Sequence, residues 1–406
     1  MRKLCVISPG MADGGANLLM GRAAMHLSRK HGFALHLVDV QGGAVWRLWK
    51  KEGVEFTFQA YERGQGLYVE DCDAVLLSLL SAKLIDGRFR ISAATKLILW
   101  CTAPQDPFKF LPWSLLANSW SWRMRAIVSS VISPAHKRRI AAFLRDASTR
   151  GGVYFMDRHN FEVNQLIFGQ GMLPAVLPIC TAAPMRPPRQ GPPAKKSAYW
   201  VGRVADFKTQ SLIASARAII AHGRAEEVVV IGDGADIEKA RAELGDLPVR
   251  WLGAMGVEQL EHEIYEKAWL VFGHATSLLE AAKFGIPSLL VDGTYDKVRP
   301  EDLKVEWLHR CQPGYVGAIV RSHEMSGRAA AECLNEVTPS YREISEASFI
   351  CWKQTFSPDI ISENLISAIE RCDYTVGEYV RSGASRPGAL GGLLEVVKRR
   401  IFGRIY

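Results

Sequence analysis

The sequence predicts an α/β protein made of two doubly wound domains, each with a parallel sheet. Short apolar runs alternate with segments of helical period in both halves of the chain. A proline-dense stretch at 184–193 separates the halves, and because proline disrupts helix and sheet alike it predicts a linker. The length of 406 residues allows two or three domains.

In the N-terminal half, continuous apolar runs indicate the buried strands that parallel sheets favour. A glycine-containing loop follows the first strand and leads into a segment of helical period, which is the start of a strand–helix–strand unit. The predicted elements, in order, are a strand over 4–8, a helix over 16–29 and strands over 33–40, 74–80 and 96–100.

The same alternation restarts after the linker. The predicted strands cover 199–201, 227–231, 249–252, 269–272 and 288–291, and the predicted helices cover 209–222, 237–244, 258–267 and 277–284. Open α/β sheets bind their ligands beyond the carboxyl ends of the strands. We therefore expect a ligand in a cleft where the strand ends of the two domains face each other.

The composition excludes several classes of protein. Hydrophobic residues make up 48% and charged residues 23% of the chain, which excludes a disordered or collagen-like protein. No window approaches the roughly 18 consecutive apolar residues of a transmembrane helix, and the N-terminus predicts a first strand rather than a signal peptide. The eight cysteines lack CxxC spacing, so we expect reduced core thiols in a cytosolic-type protein.

The net charge of +8 is concentrated in two stretches of the chain. Residues 109–150 hold eight Lys and Arg against one acidic residue, Asp146, and residues 375–406 hold six against two. The first stretch also contains three tryptophans, and the second has apolar residues at helical spacing: Trp113, Trp120 and Trp122, and Leu394, Val397, Ile401 and Ile405.

Basic stretches of this kind are typical of segments that lie on an anionic membrane surface. We expect membrane contact through 109–150 and 391–406. The alternative for each stretch is a solvated helix face above a buried apolar stripe. No motif that reads DNA or RNA is present, so nucleic acid is not an expected partner.

Candidate phosphate-binding residues follow the first strand of the second half. Gly202 lets the backbone approach a ligand closely, and Arg203 and Lys208 can grip neighbouring phosphate oxygens. The alternative is a solvated loop that happens to carry two cations.

Two further segments follow later strands. Gly232 and Gly234 form a Gly-Asp-Gly turn, but the third glycine of a dinucleotide fingerprint would fall at Ile237, which disfavours NAD binding. A turn near a phosphate and a plain turn both remain open. Glu280 lies in the first turns of a helix, where its carboxylate can accept hydrogen bonds from a ribose diol, or it is a surface helix residue.

The order of these segments resembles a known family. GRxxxxK, then GDG, then WLG, then LLEAAKFGIPSLLVD, over about 200–292, resemble the nucleotide-sugar domain of GT-B fold glycosyltransferases, most of all the retaining glycosyltransferase family 4. SPGMADGGAN fits the N-terminal loop of that family, and 345–371 resemble its closing helices, which cross back to the first domain. The resemblance implies a GT-B fold with an acceptor domain over 1–185, a nucleotide-sugar domain over 186–350, crossing-back helices over 351–374 and a basic tail over 375–406.

The resemblance also implies roles for individual residues. Arg203 and Lys208 resemble the catalytic pair that neutralises the donor diphosphate, and Glu280 resembles the glutamate that holds the nucleotide ribose. The implied donor-binding residues are glycines of the loops named above, with a histidine beside them: Gly14, Gly15, Gly202, Gly232, Gly234, Gly253 and His274.

Two positions depart from the pattern of the family. Gly273 stands where the first glutamate of the E-x7-E motif is expected, and His274 beside it is a candidate to replace some of its contacts or is an ordinary loop histidine. The strand over 96–100 leads to Cys101 without the histidine that many relatives carry there. Asp13 and Asp106 are the nearest carboxylates by loop position.

The leading hypothesis is a glycosyltransferase that moves a sugar from a nucleotide diphosphate donor to a hydroxyl of a lipid- or glycan-linked acceptor. The resemblance implies retention of configuration, no metal or other cofactor, and a role in bacterial cell-surface polysaccharide synthesis. The basic stretches predict a peripheral enzyme at the cytoplasmic face of the plasma membrane. The alternatives are a non-catalytic GT-B protein that binds a nucleotide sugar or a partner, and a nucleotide-sugar epimerase. A nucleic-acid-binding protein ranks last.

Overall fold

The computed structural model of the chain describes residues 2–10, 15–62, 65–111 and 122–386. The chain forms two compact units. One comprises the residues up to Cys180 together with those from Pro358 onward, and the other comprises Thr181–Ser357. Each unit has its own predominantly parallel sheet.

The first unit contains thirteen described helices and strands before Cys180. They are β1 (Lys3–Ile7), α1 (Gly15–His31), β2 (Ala34–Asp39), α2 (Ala44–Lys51), β3 (Phe56–Ala60), β4 (Leu67–Tyr68), β5 (Ala74–Ser78), β6 (Phe89–Arg90), β7 (Lys96–Cys101), α3 (Trp122–Ile132), α4 (Pro134–Thr149), β8 (Val153–Phe155) and α5 (Arg158–Phe168). Six strands pair in parallel in the order β3-β2-β1-β5-β7-β8, and β4 pairs with β6 separately.

The second unit repeats the alternation of strand and helix. Its elements are β9 (Ser197–Val201), α6 (Phe207–Ala221), β10 (Glu227–Ile231), α7 (Ile237–Leu244), β11 (Val249–Gly253), α8 (Val257–Lys267), β12 (Ala268–Gly273), α9 (Thr276–Ala282), β13 (Ser288–Leu290), β14 (Lys304–Trp307), β15 (Arg328–Ala329), α10 (Ala330–Val337) and α11 (Tyr341–Thr355). The sheet order is β11-β10-β9-β12-β13-β14-β15, with β14 and β15 antiparallel. The central strands β9 and β12 are buried along their whole length, as continuous apolar strands require.

The chain ends its described part in the first unit, with α12 (Pro358–Arg371) and α13 (Val376–Ser382). Helix α12 packs against α1, and α13 packs against α4. The fully buried Tyr374 fills the space that Gly152 leaves, since a Cβ on Gly152 would lie 2.6 Å from the Tyr374 side chain. A capping box formed by Thr375 and Glu378 begins α13.

The predicted elements lie where the structure has them, with ends that differ by at most two residues. The helix over 237–244 matches α7 at both ends. The strand predicted over 74–80 is two residues too long, because β5 ends at Ser78, whose hydroxyl caps a 3-10 helix over Leu79–Leu84. The elements that the sequence did not indicate are α2, β3, β4, β6, α3, α4, β8, α5, β14, β15, α10 and α13.

The proline-dense stretch is irregular but fixed to the second unit. The Arg189 N–H donates to the carbonyl of Phe284 at 2.9 Å, and its guanidinium donates to the carbonyl of Tyr265 at 3.0 Å and also to the Tyr341 hydroxyl. The stretch therefore belongs to the second unit, whose bounds of Thr181–Ser357 include it. The eight cysteines are thiols, and five of them are buried.

The two basic stretches are described only in part. Trp122 begins α3, whereas Trp113, Trp120 and the whole of 391–406 lie outside the described residues. Among the helices that are described, none is both long and apolar enough to span a bilayer.

We expect Tyr379→Ala to lower the free energy of unfolding by about 3 kcal/mol, because this fully buried ring of α13 packs edge-on against Phe143 of α4 at 5.3 Å. Urea unfolding of the full chain measures the change. Arg381→Ala, on the same helix with its side chain 74% exposed, is the control and should change it by less than about 0.5 kcal/mol. Equal effects of the two substitutions would contradict the packing of α13 on α4.

Candidate functional site

Three glycines lie at the carboxyl ends of three neighbouring strands of the second unit. Gly202 follows β9, Gly232 follows β10, and Gly273 ends β12, with φ angles of 148°, 143° and 144°. Side chains rarely adopt such angles. A Cβ on Gly232 would lie 1.9 Å from the carbonyl oxygen of Gly202, so the two strand ends meet backbone to backbone.

The loops after β9 and β10 are joined by further backbone contacts. A Cβ on Gly234 would lie 2.3 Å from the carbonyl oxygen of Val204. The Val204 N–H donates to Asp233, and the Asp236 N–H donates back to Val204, both at 3.0 Å. The Asp236 carboxylate accepts from the Asp206 N–H at 3.1 Å. The Gly-Asp-Gly turn therefore packs the loops after β9 and β10 together. This structural role is the one expected of a plain turn.

Gly253 ends the neighbouring strand β11. Its carbonyl accepts the N–H of Gly232 at 2.8 Å, and its φ angle is 70°. No atom lies within 4 Å of the position that a Cβ would take, so this glycine borders open space.

Lys208 lies at the start of α6 and reaches the edge of the sheet. Its ammonium nitrogen is 3.4 Å from the position of a Cβ on Gly202. Desolvation, together with the charge of Arg203, lowers the pKa of Lys208 to about 8. In the described part of the chain no carboxylate pairs with this half-buried cation. The site therefore holds a positive charge that the protein itself leaves uncompensated.

Arg203 is placed differently from Lys208. Its side chain is 68% exposed, and its only ion pair among the described residues is a loose one with Asp206 at 3.8 Å. Exposed pairs of this kind contribute little to stability. The guanidinium can therefore move toward an anion at small cost.

Two other polar groups converge on Gly202. The Ser277 hydroxyl oxygen and the Trp200 indole nitrogen lie 3.6 Å and 3.8 Å from the position of its Cβ. The Trp200 side chain is buried, and its N–H has no hydrogen-bond acceptor among the described residues. A buried donor without an acceptor is uncommon and marks a place where a ligand atom can bind.

His274 packs between the rings of Trp200 and Phe207, with centroids 5.8 Å and 5.6 Å away. Burial and the charge of Lys208 lower its pKa to about 3, so the ring is neutral at physiological pH. Gly273 has no side chain, so this position carries no carboxylate, and a Cβ there would lie 3.6 Å from the Trp200 ring, in ordinary contact. His274 therefore contributes a neutral aromatic wall beside the cation.

Two helices of the site begin at strained residues. Asp206 precedes α6 and Ala275 precedes α9, and both have φ of 58° although neither is glycine. Such angles cost about 1–3 kcal/mol each. The Ala275 N–H donates to the carbonyl of Val316 at 2.7 Å, which helps to hold the start of α9 in place.

Glu280 lies on α9, one turn after Ser277. Its carboxylate is 2.5 Å from the ammonium of Lys283, which is fully buried and is also 2.5 Å from the carboxylate of Glu261. One lysine thus neutralises two mostly buried carboxylates. Glu280 is fixed by this triad rather than being a solvated surface residue.

The predicted residues are thus distributed as follows. Around the strand ends of the second unit the structure brings together seven of them: Gly202, Arg203, Lys208, Gly232, Gly234, Gly253 and His274. Glu280 lies further along α9 in its own ion-pair cluster. Gly15 begins α1 in the first unit, and Gly14 and Asp13 lie outside the described residues.

The carboxylates of the first unit serve its loops. Asp106 is buried and accepts the N–H groups of Thr102 and Ala103 at 3.1 Å and 3.0 Å, and its burial raises its pKa to about 6. Asp39 ends β2, accepts the Gly10 N–H at 3.2 Å, and has its pKa raised to about 6 by burial. Both carboxylates hold backbone turns.

Four residues of the site were not singled out in the sequence. Ser277 and Lys283 lie three residues before and after Glu280, a spacing that puts all three on one face of a helix. This spacing could have identified both residues from the sequence. Trp200 resembles any aromatic residue of a buried strand. Glu261 lies on another helix, and nothing in the sequence links it to Lys283.

A metal site is not evident within the described ranges, which contain no group of three or more His, Cys, Asp or Glu residues placed to hold an ion.

The chain matches no protein-family model and no curated protein. It is similar in structure to HepE of Anabaena in complex with UDP and glucose, with a TM-score of 0.56 at 12% identity over 91% of this chain and 100% of HepE. It is also similar to an S. aureus TarM variant in complex with fondaparinux, α-GlcNAc-glycerol and UDP, with a TM-score of 0.55 at 8% identity over 91% of this chain and 100% of TarM. A third similar structure is that of AviGT4, a glycosyltransferase involved in avilamycin A biosynthesis, with a TM-score of 0.50 at 15% identity over 91% of this chain and 98% of AviGT4. At these identities the likeness shows the fold, which is GT-B with two Rossmann-like domains.

We expect Gly232→Ala to lower the free energy of unfolding by about 3 kcal/mol or more, because its methyl group would overlap the Gly202 carbonyl. Gly253→Ala loses the same backbone freedom without an overlap and should cost roughly 1 kcal/mol. Chemical unfolding of both variants measures the difference. Similar costs would mean that the two strand ends do not meet as described.

We expect Lys283→Met to cost about 3–5 kcal/mol of stability, because it strands two carboxylates without a counter-charge. Adding Glu261→Gln to Lys283→Met should restore part of the stability at pH 7. Chemical unfolding at pH 7 measures both variants, and a double variant no more stable than Lys283→Met alone would argue against the triad.

Proposed function

We propose that this chain is a glycosyltransferase that moves a sugar from a nucleotide diphosphate donor to an acceptor hydroxyl. One observation carries the proposal: Lys208 is a desolvated cation without a carboxylate partner among the described residues, at the carboxyl edge of a parallel sheet. That edge is where open α/β sheets bind ligands. A diphosphate would supply the missing negative charge.

The other groups at this edge fit a diphosphate sugar. The Trp200 N–H and the Ser277 hydroxyl can donate to phosphate oxygens close to Lys208. Arg203, mostly exposed, can close over the outer face of the phosphates. Because Gly202 has no side chain, a ligand can approach the backbone of this turn closely.

These groups have a role in the transfer step. As the bond between sugar and phosphate breaks, negative charge accumulates on the leaving diphosphate, and fixed donors and cations lower the energy of that state. Lys208 acts from a fixed position, and Arg203 adds a mobile charge. The neutral His274 leaves the charge of Lys208 undiminished.

UDP is the first nucleotide to test. HepE and TarM, whose fold the chain shares, are described in complexes with UDP. Glu280, held by Lys283, is our proposed partner of the ribose hydroxyls. The base-side contacts are assigned to the open turn at Gly253, and the loop containing Gly14 and Gly15 is assigned to the donor or acceptor in the first unit.

The finer features of the proposal come from the family resemblance. We propose retention of configuration, in which the leaving phosphate takes the proton of the acceptor hydroxyl and neither a protein nucleophile nor a metal is required. The proposed acceptor is lipid- or glycan-linked, in bacterial surface-polysaccharide synthesis. Contact with an anionic membrane through 109–150 and 391–406 would place the enzyme at the cytoplasmic face.

Gly273 favours one alternative function. Without a carboxylate at this position, the chain has one group fewer to orient the donor sugar, so a protein that binds a nucleotide sugar without transferring it is the second candidate. Incubation of the donor with and without candidate acceptors separates the two: a new glycoside indicates transfer, and unchanged donor that nevertheless binds indicates a binding protein. An isomerised donor sugar would indicate an epimerase.

We expect UDP to raise the melting temperature of the chain, and we expect its Kd to rise about tenfold between pH 8 and pH 9.5. Lys208 is charged below its pKa of about 8, so the attraction is present at lower pH and is lost as the pH rises. Titration calorimetry across this range measures Kd, with GDP, ADP and CMP for comparison.

The matched pair of variants is Lys208→Met and Lys267→Met. The first should weaken diphosphate binding at least tenfold at pH 7 and flatten its pH dependence. The second removes a lysine just before β12, at the amino end of that strand, and should change neither. A Lys208→Met protein that keeps the affinity and pH profile of the unaltered chain would refute the phosphate site.

A further inference from the structure

Helix α3 exposes several of its apolar residues and buries two of its polar ones, Arg125 and Ser129. Ile127 and Val131 are 60% and 73% exposed, and Ile132 beside them is 48% exposed. The spacing of four residues puts Ile127 and Val131 on one face, one turn apart. We call this pair, with Ile132, the α3 apolar face.

The opposite side of the helix packs on the protein. Helix α3 contacts α4 and α5, and the buried residues of α3 are Arg125 and Ser129. The Arg125 guanidinium lies over the rings of Trp122 and Phe108, at 4.2 Å and 5.3 Å from their centroids. Polar residues thus occupy the buried side, which excludes for α3 the alternative of a solvated face over a buried apolar stripe.

The segment of sequence that carries the α3 apolar face is positively charged. The sequence has no Asp or Glu between Asp106 and Asp146, and seven Lys and Arg lie in that interval. Arg123 and Arg138 are exposed on α3 and α4. The Lys137 ammonium donates to the Ala126 carbonyl at 3.0 Å and to the Ser130 hydroxyl at 2.7 Å, so a further cation lies against the helix.

We propose that the α3 apolar face inserts into the surface of an anionic membrane, with the cations of α3 and α4 on the lipid phosphates. The inference deepens the membrane contact proposed above by naming the surface that makes it. Ile127 and Val131 would enter the boundary between headgroups and acyl chains, where an amphipathic helix binds through buried apolar area and attraction to anionic lipid.

Charge complementarity selects this partner over two others. A second copy docked on the same face would bring its own cations against these, and like charges in an interface oppose association. Nucleic acid offers phosphates but no apolar phase to cover Ile127 and Val131. An anionic bilayer offers both.

The test is co-sedimentation of the full chain with phosphatidylcholine vesicles that contain 0% or 30% phosphatidylglycerol. We expect the chain to bind the anionic vesicles, and to bind the neutral vesicles at least tenfold more weakly. Ile127→Gln/Val131→Gln should weaken anionic binding at least tenfold. Arg123→Gln/Arg138→Gln should weaken it about 25-fold, near fivefold per cation. The control is Met185→Gln/Val257→Gln, which removes two exposed apolar residues of the second unit and should bind as the unaltered chain does.

Melting temperatures within about 2 °C of the unaltered chain confirm that the exposed substitutions leave the fold intact. Full binding by Ile127→Gln/Val131→Gln, or absence of binding by the unaltered chain, would overturn the proposal. So would a dimer that this variant dissociates in size-exclusion chromatography, or a preference for duplex DNA over vesicles of equal charge. The assay needs no nucleotide, so its failure would leave the diphosphate site unaffected.

Discussion

The close approach of two backbone turns is the constraint on which the candidate site depends. Gly202 and Gly232 bring the ends of β9 and β10 into contact, with no room for a Cβ between Gly232 and the Gly202 carbonyl. This contact fixes the loop that carries Arg203 and the start of the helix that carries Lys208. Because no side chain rises from the turns, the indole N–H of Trp200 reaches the space beside Gly202.

Two lysines of the same unit show how differently the protein treats a desolvated cation. Lys283 is fully buried and lies between the carboxylates of Glu261 and Glu280, so its charge is balanced within the fold. Lys208 is less buried and has no such partner in the described part of the chain. The positive charge of the nearby Arg203 lowers the pKa of Lys208 further. The first arrangement stabilises a helix and holds Glu280. The second makes sense where a charged ligand completes the balance.

Much of this could be predicted from the sequence, and the rest required distances in space. Nine of the strands were recognised because parallel sheets bury continuous apolar runs, and the glycines and cations after β9 stood out by spacing. The role of Gly234 in packing two loops, the link from Lys283 to Glu261 and the missing acceptor of Trp200 all depend on contacts between distant segments. Helix α3 was visible only as part of a basic stretch, since its pattern does not reveal which face is buried.

The two units differ in when their residues leave the ribosome. Thr181–Ser357 is one continuous segment, so every strand of the second sheet has been synthesised before α12 begins. The first unit starts earlier but lacks α12, α13 and the Tyr374 ring that fills the space at Gly152 until the last part of the chain emerges. During synthesis the surfaces of α1 and α4 that α12 and α13 later cover are therefore still exposed when the second unit already has all of its strands and helices. The order of completion is the reverse of the order of translation, and the interval is when the nascent chain is most exposed to aggregation and to chaperones.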